Sequence, residues 1–256
     1  ERDMRGLEDK VVVVAGGGAI GSATVHRLAD AGARVVVGDL NGEHAESLAE
    51  SVREGGGQCI GMKFDIADED SVRALVDAAV DEYGGIDAMH VNAADLQVVN
   101  QDSDVLSEPL AVFDQTLRVS LRGHFLCTRA VLPELLRRGG GSLVYTSSVA
   151  AAVGEPVRPA YAIAKAGIEA LMRHVASGWG KQRIRANAVA PGLVITPVMA
   201  TGLPEEARKH ALKSVRSARL GKPDDIASMV AFLVSDESEW INGQVYSVDG
   251  GTLFRL

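Results

Sequence analysis

Lys10 to Ala15 reads Lys-Val-Val-Val-Val-Ala and breaks at once into Gly16-Gly17-Gly18-Ala19-Ile20-Gly21. A run of β-branched residues this short and this apolar suits a strand buried on both faces, the kind found in parallel sheets. The segment that follows, Ser22 to Ala33, places Ala23, Val25, Leu28 and Ala29 on one helical face and stops at Gly32. A second β-branched run, Arg34 to Gly38, then closes on Asp39. The alternation continues with a helix over 43–54, the turn Gly55-Gly56-Gly57, and a strand over 59–64 that runs into Asp65. Asp68 suits the N-cap of a helix over 70–83, and a strand over 86–91 ends at Asn92. Strands alternating with helices in this way predict an α/β fold: a doubly wound, Rossmann-like parallel sheet between two layers of helices.

The second half repeats the pattern. A long helical region over 110–137 is expected to be interrupted at Pro133. The turn Gly139-Gly140-Gly141 leads to a strand over 142–146, a helix from Tyr161 to about Gly180, and a strand over 185–190 before the breaker Pro191-Gly192. A loop and helices fill 193–233, and a last strand, over 244–248, closes on Asp249-Gly250-Gly251. No linker or repeat divides the chain. Residues 7–256 read as one dinucleotide-binding domain of two mononucleotide-type halves, and 1–6 as an N-terminal extension or tag remnant.

Charge and composition exclude several functions. A net charge of −8 disfavours binding to nucleic acid, which needs a basic surface. No apolar stretch nears the roughly 20 residues of a membrane-spanning helix, and no secretory signal pattern opens the chain. Cys59 and Cys127 form no metal or disulfide motif, so the expectation is a cytoplasmic protein with two core thiols. The six histidines show no ligand spacing, and no metal is expected. His90, inside a predicted buried strand, reads as a hydrogen-bonded core residue.

Gly16, Gly18 and Gly21 fit G-x-G-x-x-G between a strand and a helix. The first permits a sharp turn, the second a close approach of backbone to a pyrophosphate, and the third close helix packing. The helix N-terminus adds free N–H groups and partial positive charge. Asp39 ends the second strand eighteen residues past Gly21, where a carboxylate can accept from the adenosine ribose hydroxyls and would repel a 2′-phosphate. NAD is therefore expected rather than NADP. Asp65 and Asn92 also close strands at the ligand-binding edge, or serve as turn residues.

Tyr161 and Lys165 stand four residues apart at the start of a helix, on one face, and Ser148 lies thirteen residues before the tyrosine. An ammonium near a phenol lowers the phenol pKa from about 10 and prepares a general base for neutral pH. Such a pair is also common among surface neighbours, so the rest of the chain decides its meaning.

Taken together, the glycine turn, Asp39, Asp65-Ile66, Asn92-Ala93-Ala94, Ser148, Tyr161-Ala-Ile-Ala-Lys165, Asn187-Ala-Val-Ala-Pro191-Gly192 and Gly243 to Gly251 resemble the compact form of the short-chain dehydrogenase/reductase family, from about Leu7 to Thr252. The resemblance implies that Tyr161 exchanges the proton of a substrate hydroxyl. Lys165 would lower the Tyr161 pKa and hold the nicotinamide ribose, and Ser148 would bind the reacting oxygen. It extends the cofactor contacts to Ile20, Leu40, Asp65, Ile66, Asn92, Ala93, Ala94, Pro191, Gly192, Val194 and Thr196. Thr196 reads equally well as a helix N-cap before Pro197. The implied reaction is hydride transfer between NAD and a secondary alcohol or ketone, with no nucleic-acid or membrane partner. A dinucleotide-binding regulator without turnover, or an epimerase or isomerase using transient oxidation, are the alternatives.

Three departures from the family pattern stand out. Ala15 and a compact G-x-G-x-x-G replace the family's T-G-x-x-x-G-x-G. Ser120 stands where the family places the asparagine of its proton relay, and is carried as a fourth catalytic candidate. Val91 and Ala94 replace the outer residues of Asn-Asn-Ala-Gly, while Ile168, where enoyl reductases of the family carry lysine, disfavours that arrangement. The acidic stretch over 102–108 reads as a solvated loop. The Tyr161 helix is apolar around most of its circumference, which predicts burial on two sides and a homo-oligomer; the resemblance suggests a homotetramer. Met199 and Leu203, within a segment over 198–215 expected to border the substrate pocket, suggest an apolar component to it, and the stretch between Pro191-Gly192 and Pro223 reads as a mobile lid.

Overall fold

The computed structural model describes residues 5–202 and 204–254. Leu203 lies outside them, as do the outer residues of the expected terminal extension and the last two positions of the expected domain. Seven parallel strands form one sheet in the order β3-β2-β1-β4-β5-β6-β7: β1 (Val11–Ala15), β2 (Arg34–Asp39), β3 (Gln58–Lys63), β4 (Ala88–Val91), β5 (Gly141–Thr146), β6 (Ile184–Pro191) and β7 (Val245–Val248). The chain moves outward from β1 to β3, then crosses back so that β4 pairs with the other side of β1. That reversal opens a crevice at the carboxyl ends of β1 and β4, where open α/β sheets bind ligands.

The β-branched runs are buried on both faces, as their sequence requires. Val11 and Val13 join one cluster with Met89, Leu143, Ile168 and Met172. Val12 and Val14 join the other, with Val25, Leu28, Val144 and Val230. The helices α1 (Ala19–Asp30), α2 (Gly42–Glu54) and α3 (Glu69–Tyr83) supply apolar faces in the first half. A one-turn helix, α4 (Leu96–Val99), was not foreseen from the sequence.

The expected break at Pro133 is displaced. Helix α5 (Leu110–Leu117) passes through a π-helical stretch, 118–122, into α6 (Gly123–Arg138), which runs through Pro133 without interruption. Pro133 and Arg129, whose carbonyl it leaves unpaired, both lie on the exposed face of α6 where water can replace the lost donor. The irregularity falls instead at Ser120, and π-turns of this kind are frequent at functional sites. Further on come α7 (Pro159–Trp179), α8 (Pro197–Gly202), α9 (Glu205–Ser214) and α10 (Pro223–Val234). Among the described residues no helix is long and apolar enough to cross a membrane.

Candidate active site at the carboxyl edge of the sheet

The glycine turn is fixed by close backbone contacts. Gly16 has φ +113°, and a Cβ there would meet the Ala93 nitrogen at 2.6 Å. A Cβ on Gly21 would stand 1.9 Å from the Gly16 carbonyl oxygen, so α1 can begin against the turn only with glycine at that position. Gly18, by contrast, faces open space and is the N-cap of α1 with no side-chain cap. The first N–H groups of α1 are thus presented to an uncluttered surface, the arrangement that receives an anion.

Asp39 reaches this turn directly. Its Oδ2 accepts from the Gly17 backbone N–H at 2.8 Å and its Oδ1 from Asn41 N–H at 3.0 Å. The carboxylate is therefore oriented at the end of β2, and each oxygen keeps a further acceptor site. Gly17 N–H is committed to Asp39, which leaves Gly18 and the start of α1 as the open part of the cradle.

The second cluster is built at the ends of β5 and α7. Ser148 follows β5, and its Oγ accepts from Ala150 N–H at 3.2 Å to cap a short turn of 3₁₀ helix. Tyr161 sits in the first turn of α7 and Lys165 one turn later. The Lys165 Nζ donates to the Thr146 carbonyl at 2.8 Å and stands 5.5 Å from the centre of the Tyr161 ring. Burial alone lowers the Lys165 pKa to about 8. The Tyr161 phenol departs from expectation: its pKa is raised by burial, while the Ser148 hydroxyl and the Arg158 guanidinium pull it back down. Lys165 is not among the groups that move it in this arrangement, and its ammonium donates instead to a main-chain carbonyl.

Asp102 corrects the reading of the acidic stretch as a solvated loop. It is buried, and its Oδ2 accepts from the Tyr161 backbone N–H at 2.9 Å. The carboxylate therefore satisfies a free donor at the N-terminus of α7 and interacts favourably with the helix dipole. Burial, together with Glu108, raises the Asp102 pKa. Arg158, the N-cap of α7, holds a left-handed backbone (φ 66°), donates its N–H to the Ser103 carbonyl at 2.7 Å, and pairs with Glu155. Sequence reasoning missed the role of Asp102 because its contact with Tyr161, spanning fifty-nine positions, leaves no local signal.

Ser120 is fully buried with its hydroxyl unpartnered, and His124, one turn further along the same helical run, is buried with neither ring nitrogen in a formed hydrogen bond. Burial and the Lys165 charge hold His124 well below its ordinary pKa, against a smaller upward pull from the Val91 carbonyl. His90 is half satisfied: Nε2 meets Thr146 Oγ1 at 2.8 Å, whereas Nδ1 has no partner.

Of the other predicted residues, Asn92, Ala93 and Ala94 follow β4 directly against the glycine turn, with Asn92 Nδ2 donating to the Gly16 carbonyl at 3.1 Å. Ile20 lies in the first turn of α1. Leu40 is exposed beyond Asp39. Asp65 accepts from Ala67 N–H at 2.9 Å in an ordinary turn, and Ile66 is buried against Gly123. Pro191 ends β6, Gly192 packs against Asp249, and Val194 bridges to Gly221. Thr196 Oγ1 accepts from Met199 N–H at 3.2 Å, the geometry of an N-cap for α8.

Fold and site together define a dinucleotide-binding protein of the Rossmann-like class. The model of a family described as enoyl-(acyl carrier protein) reductase matches residues 14–252. A probable short-chain type dehydrogenase/reductase of Bradyrhizobium diazoefficiens is 38% identical, covering 99% of this chain and 90% of that protein. A 3-oxoacyl-(acyl-carrier-protein) reductase of Thermotoga maritima is 35% identical over 96% of this chain and 98% of the relative. Among solved structures, a short-chain type dehydrogenase/reductase from Mycobacterium ulcerans superposes with a TM-score of 0.89 at 26% identity, covering 96% of this chain and 90% of the other. The chain belongs to the short-chain dehydrogenase/reductase family, a family of oxidoreductases that use nicotinamide dinucleotides.

Proposed function

We propose that this protein is an NAD-dependent oxidoreductase that acts on a secondary alcohol or the corresponding ketone, with Tyr161 as the acid/base. One observation carries the reading: a phenol, a hydroxyl and a buried ammonium (Tyr161, Ser148 and Lys165) gather at the sheet edge that also presents the open glycine turn. The residues fit a dinucleotide. Gly18 leaves room for backbone to approach a pyrophosphate, and the α1 N-terminus has no side chain to cap it. Once bound, the nicotinamide supplies the hydride chemistry. The Tyr161 Oη takes the proton from the substrate hydroxyl during oxidation and returns it during reduction. Ser148 Oγ donates to the substrate oxygen and stabilises charge developing there. Lys165 keeps positive charge beside the phenol and would donate to the nicotinamide ribose hydroxyls of a bound dinucleotide. Tyr161→Phe should lower turnover by about a thousandfold or more while dinucleotide affinity changes little.

Asp39 supports NAD over NADP. Its oriented carboxylate suits two ribose hydroxyls, and it would repel a phosphate. Titration with NADH and with NADPH, followed by nicotinamide fluorescence, tests this directly: preference for NADPH would overturn the ribose assignment, and binding of neither would overturn the function. One observation favours the runner-up, a regulator that binds dinucleotide without turnover. With Lys165 turned to Thr146 and the phenol pKa raised, the residues stand short of a primed base. Turnover of any secondary alcohol or ketone decides between the two.

Leu117, Leu121, Phe125 and Leu171 line an open apolar groove of about 500 Å³ flanked by Asp114, Arg118 and Arg122. Half-exposed Phe125 and apolar α7 support a homotetramer, which sedimentation at micromolar concentration tests. The free, buried Cys59 and Cys127, with pKa values pushed up by burial, suit a reducing cytoplasm.

A further inference from the structure

His90 lies at zero exposure on β4, two residues before Asn92. Three contacts lead from it to the glycine turn. His90 Nε2 is 2.8 Å from Thr146 Oγ1, Thr146 Oγ1 is 3.0 Å from Asn92 Oδ1, and Asn92 Nδ2 is 3.1 Å from the Gly16 carbonyl oxygen. Only one placement of protons satisfies all three. The Gly16 carbonyl can only accept, so Asn92 must turn its NH₂ toward it and leave Oδ1 facing Thr146. The Thr146 hydroxyl has a single proton, which goes to Asn92. It must then accept from His90, which therefore carries its proton on Nε2 and leaves Nδ1 bare. The orphaned Nδ1 agrees with this assignment.

The oxygen at the end of this series is a structural pivot. The Gly16 carbonyl is wedged between Asn92 and the start of α1, since a Cβ on Gly21 would sit 1.9 Å from it. The middle of the series is a second pivot, because the Thr146 carbonyl receives the Lys165 Nζ at 2.8 Å. One threonine thus joins the glycine turn through its side chain to the buried lysine through its main chain. An apolar residue at position 90 would leave the Thr146 hydroxyl without a donor to fix its rotation, and the hydroxyl could then turn away from Asn92 Oδ1.

We propose that His90 is a positioning residue for the dinucleotide site, acting through Thr146 and Asn92 on the Gly16 carbonyl and through the Thr146 main chain on Lys165. The binding part of this inference rests on the dinucleotide reading above; the hydrogen-bond series does not. Burial and the Lys165 charge hold the His90 pKa down to about 3, so the ring remains a neutral donor of one tautomer at physiological pH.

Two measurements test the proposal. The first uses the protein without dinucleotide. Long-range ¹⁵N–¹H correlation should show His90 as the Nε2–H tautomer, and amides of the 16–21 turn should exchange about tenfold faster in His90→Val, the effect of losing one buried hydrogen bond. The Nδ1–H tautomer, or unchanged exchange, overturns the proposal whether or not a dinucleotide binds. The second is NADH titration. His90→Val and Thr146→Val should each weaken binding by about tenfold, the double variant should be no weaker than either single one, and His90→Gln, which restores a donor near the Nε2 position, should stay within about threefold of the wild type. Equal losses in His90→Val and His90→Gln, or NADH affinity in His90→Val within about twofold of wild type, would make His90 a core filler. Failure of the wild-type protein to bind any nicotinamide dinucleotide would overturn the proposed function, while the first measurement still decides the hydrogen-bond series.

Discussion

The glycine turn over 16–21 and the segment over 196–214 both leave the carboxyl edge of the sheet, and the molecule holds them in opposite ways. Backbone meets backbone at the turn: Gly16 lies against Ala93, Gly21 against the Gly16 carbonyl, and the Asn92 amide closes the gap. The segment after β6 is tied chiefly by the Val194–Gly221 bridge and the Thr196 cap, and α9 buries none of its residues. A cofactor shared by many reactions needs a fixed cradle, whereas a substrate must enter and leave. Close backbone contacts thus fall at the glycine turn, whereas α9 has no buried residue to hold it in place.

Gly21→Ala should give the largest effect. In an ordinary helix the added methyl is favourable, but here it meets a main-chain oxygen, and a loss of more than about 3 kcal/mol is expected in urea denaturation. Gly18→Ala, facing open space, should cost less than about 1 kcal/mol yet weaken NADH binding, which separates folding from cradling in two glycines of one turn. Equal stability losses at the two positions would erase the contrast.

Lys165→Met comes next and should stabilise the dinucleotide-free protein at pH 7 while abolishing turnover. The Lys165 pKa falls from 10.5 to about 8 on folding, so the unfolded chain binds more protons between those values. The penalty for burying the charge is fully present below about pH 8 and is relieved as pH rises toward 10.5. Allowing for the lost bond to Thr146, a gain of about 1–3 kcal/mol at pH 7 is expected, shrinking as pH approaches 10; a gain independent of pH would show that the charge is not its source.

Asp102→Ala should cost about 1 kcal/mol by removing the carboxylate that accepts from Tyr161 N–H, and Asp102→Asn should recover most of it. The smallest effects belong to α9. Alanine at Lys209 or His210, both exposed, should change stability by less than about 0.5 kcal/mol. A larger loss at either position would mean that this segment is held as firmly as the glycine turn.

Residues that act through local spacing are legible in the amino-acid sequence alone. Val11 to Val14 dictate a doubly buried strand, and Gly16, Gly18 and Gly21 a tight turn into a helix, because each signal lies within one or two turns of chain. Tyr161 and Lys165 are recognisable as neighbours for the same reason. The α7 start is read two residues late, at Tyr161 instead of Pro159. The break near Ser120 is misplaced to Pro133 by sequence reasoning, since proline is a visible breaker whereas a π-turn is set by how α5 and α6 pack around it. Asp102 looks solvated in the sequence because its partner, Tyr161 N–H, is remote along the chain. The direction of the Tyr161 pKa follows from burial, which a four-residue spacing does not encode. The same holds for His90: its sequence context marks a core residue, and only the juxtaposition of β4, β5 and the glycine turn gives its single proton a direction. Covalent neighbours fix local geometry, but burial and the choice of hydrogen-bond partner are set by segments that meet only when the sheet is assembled.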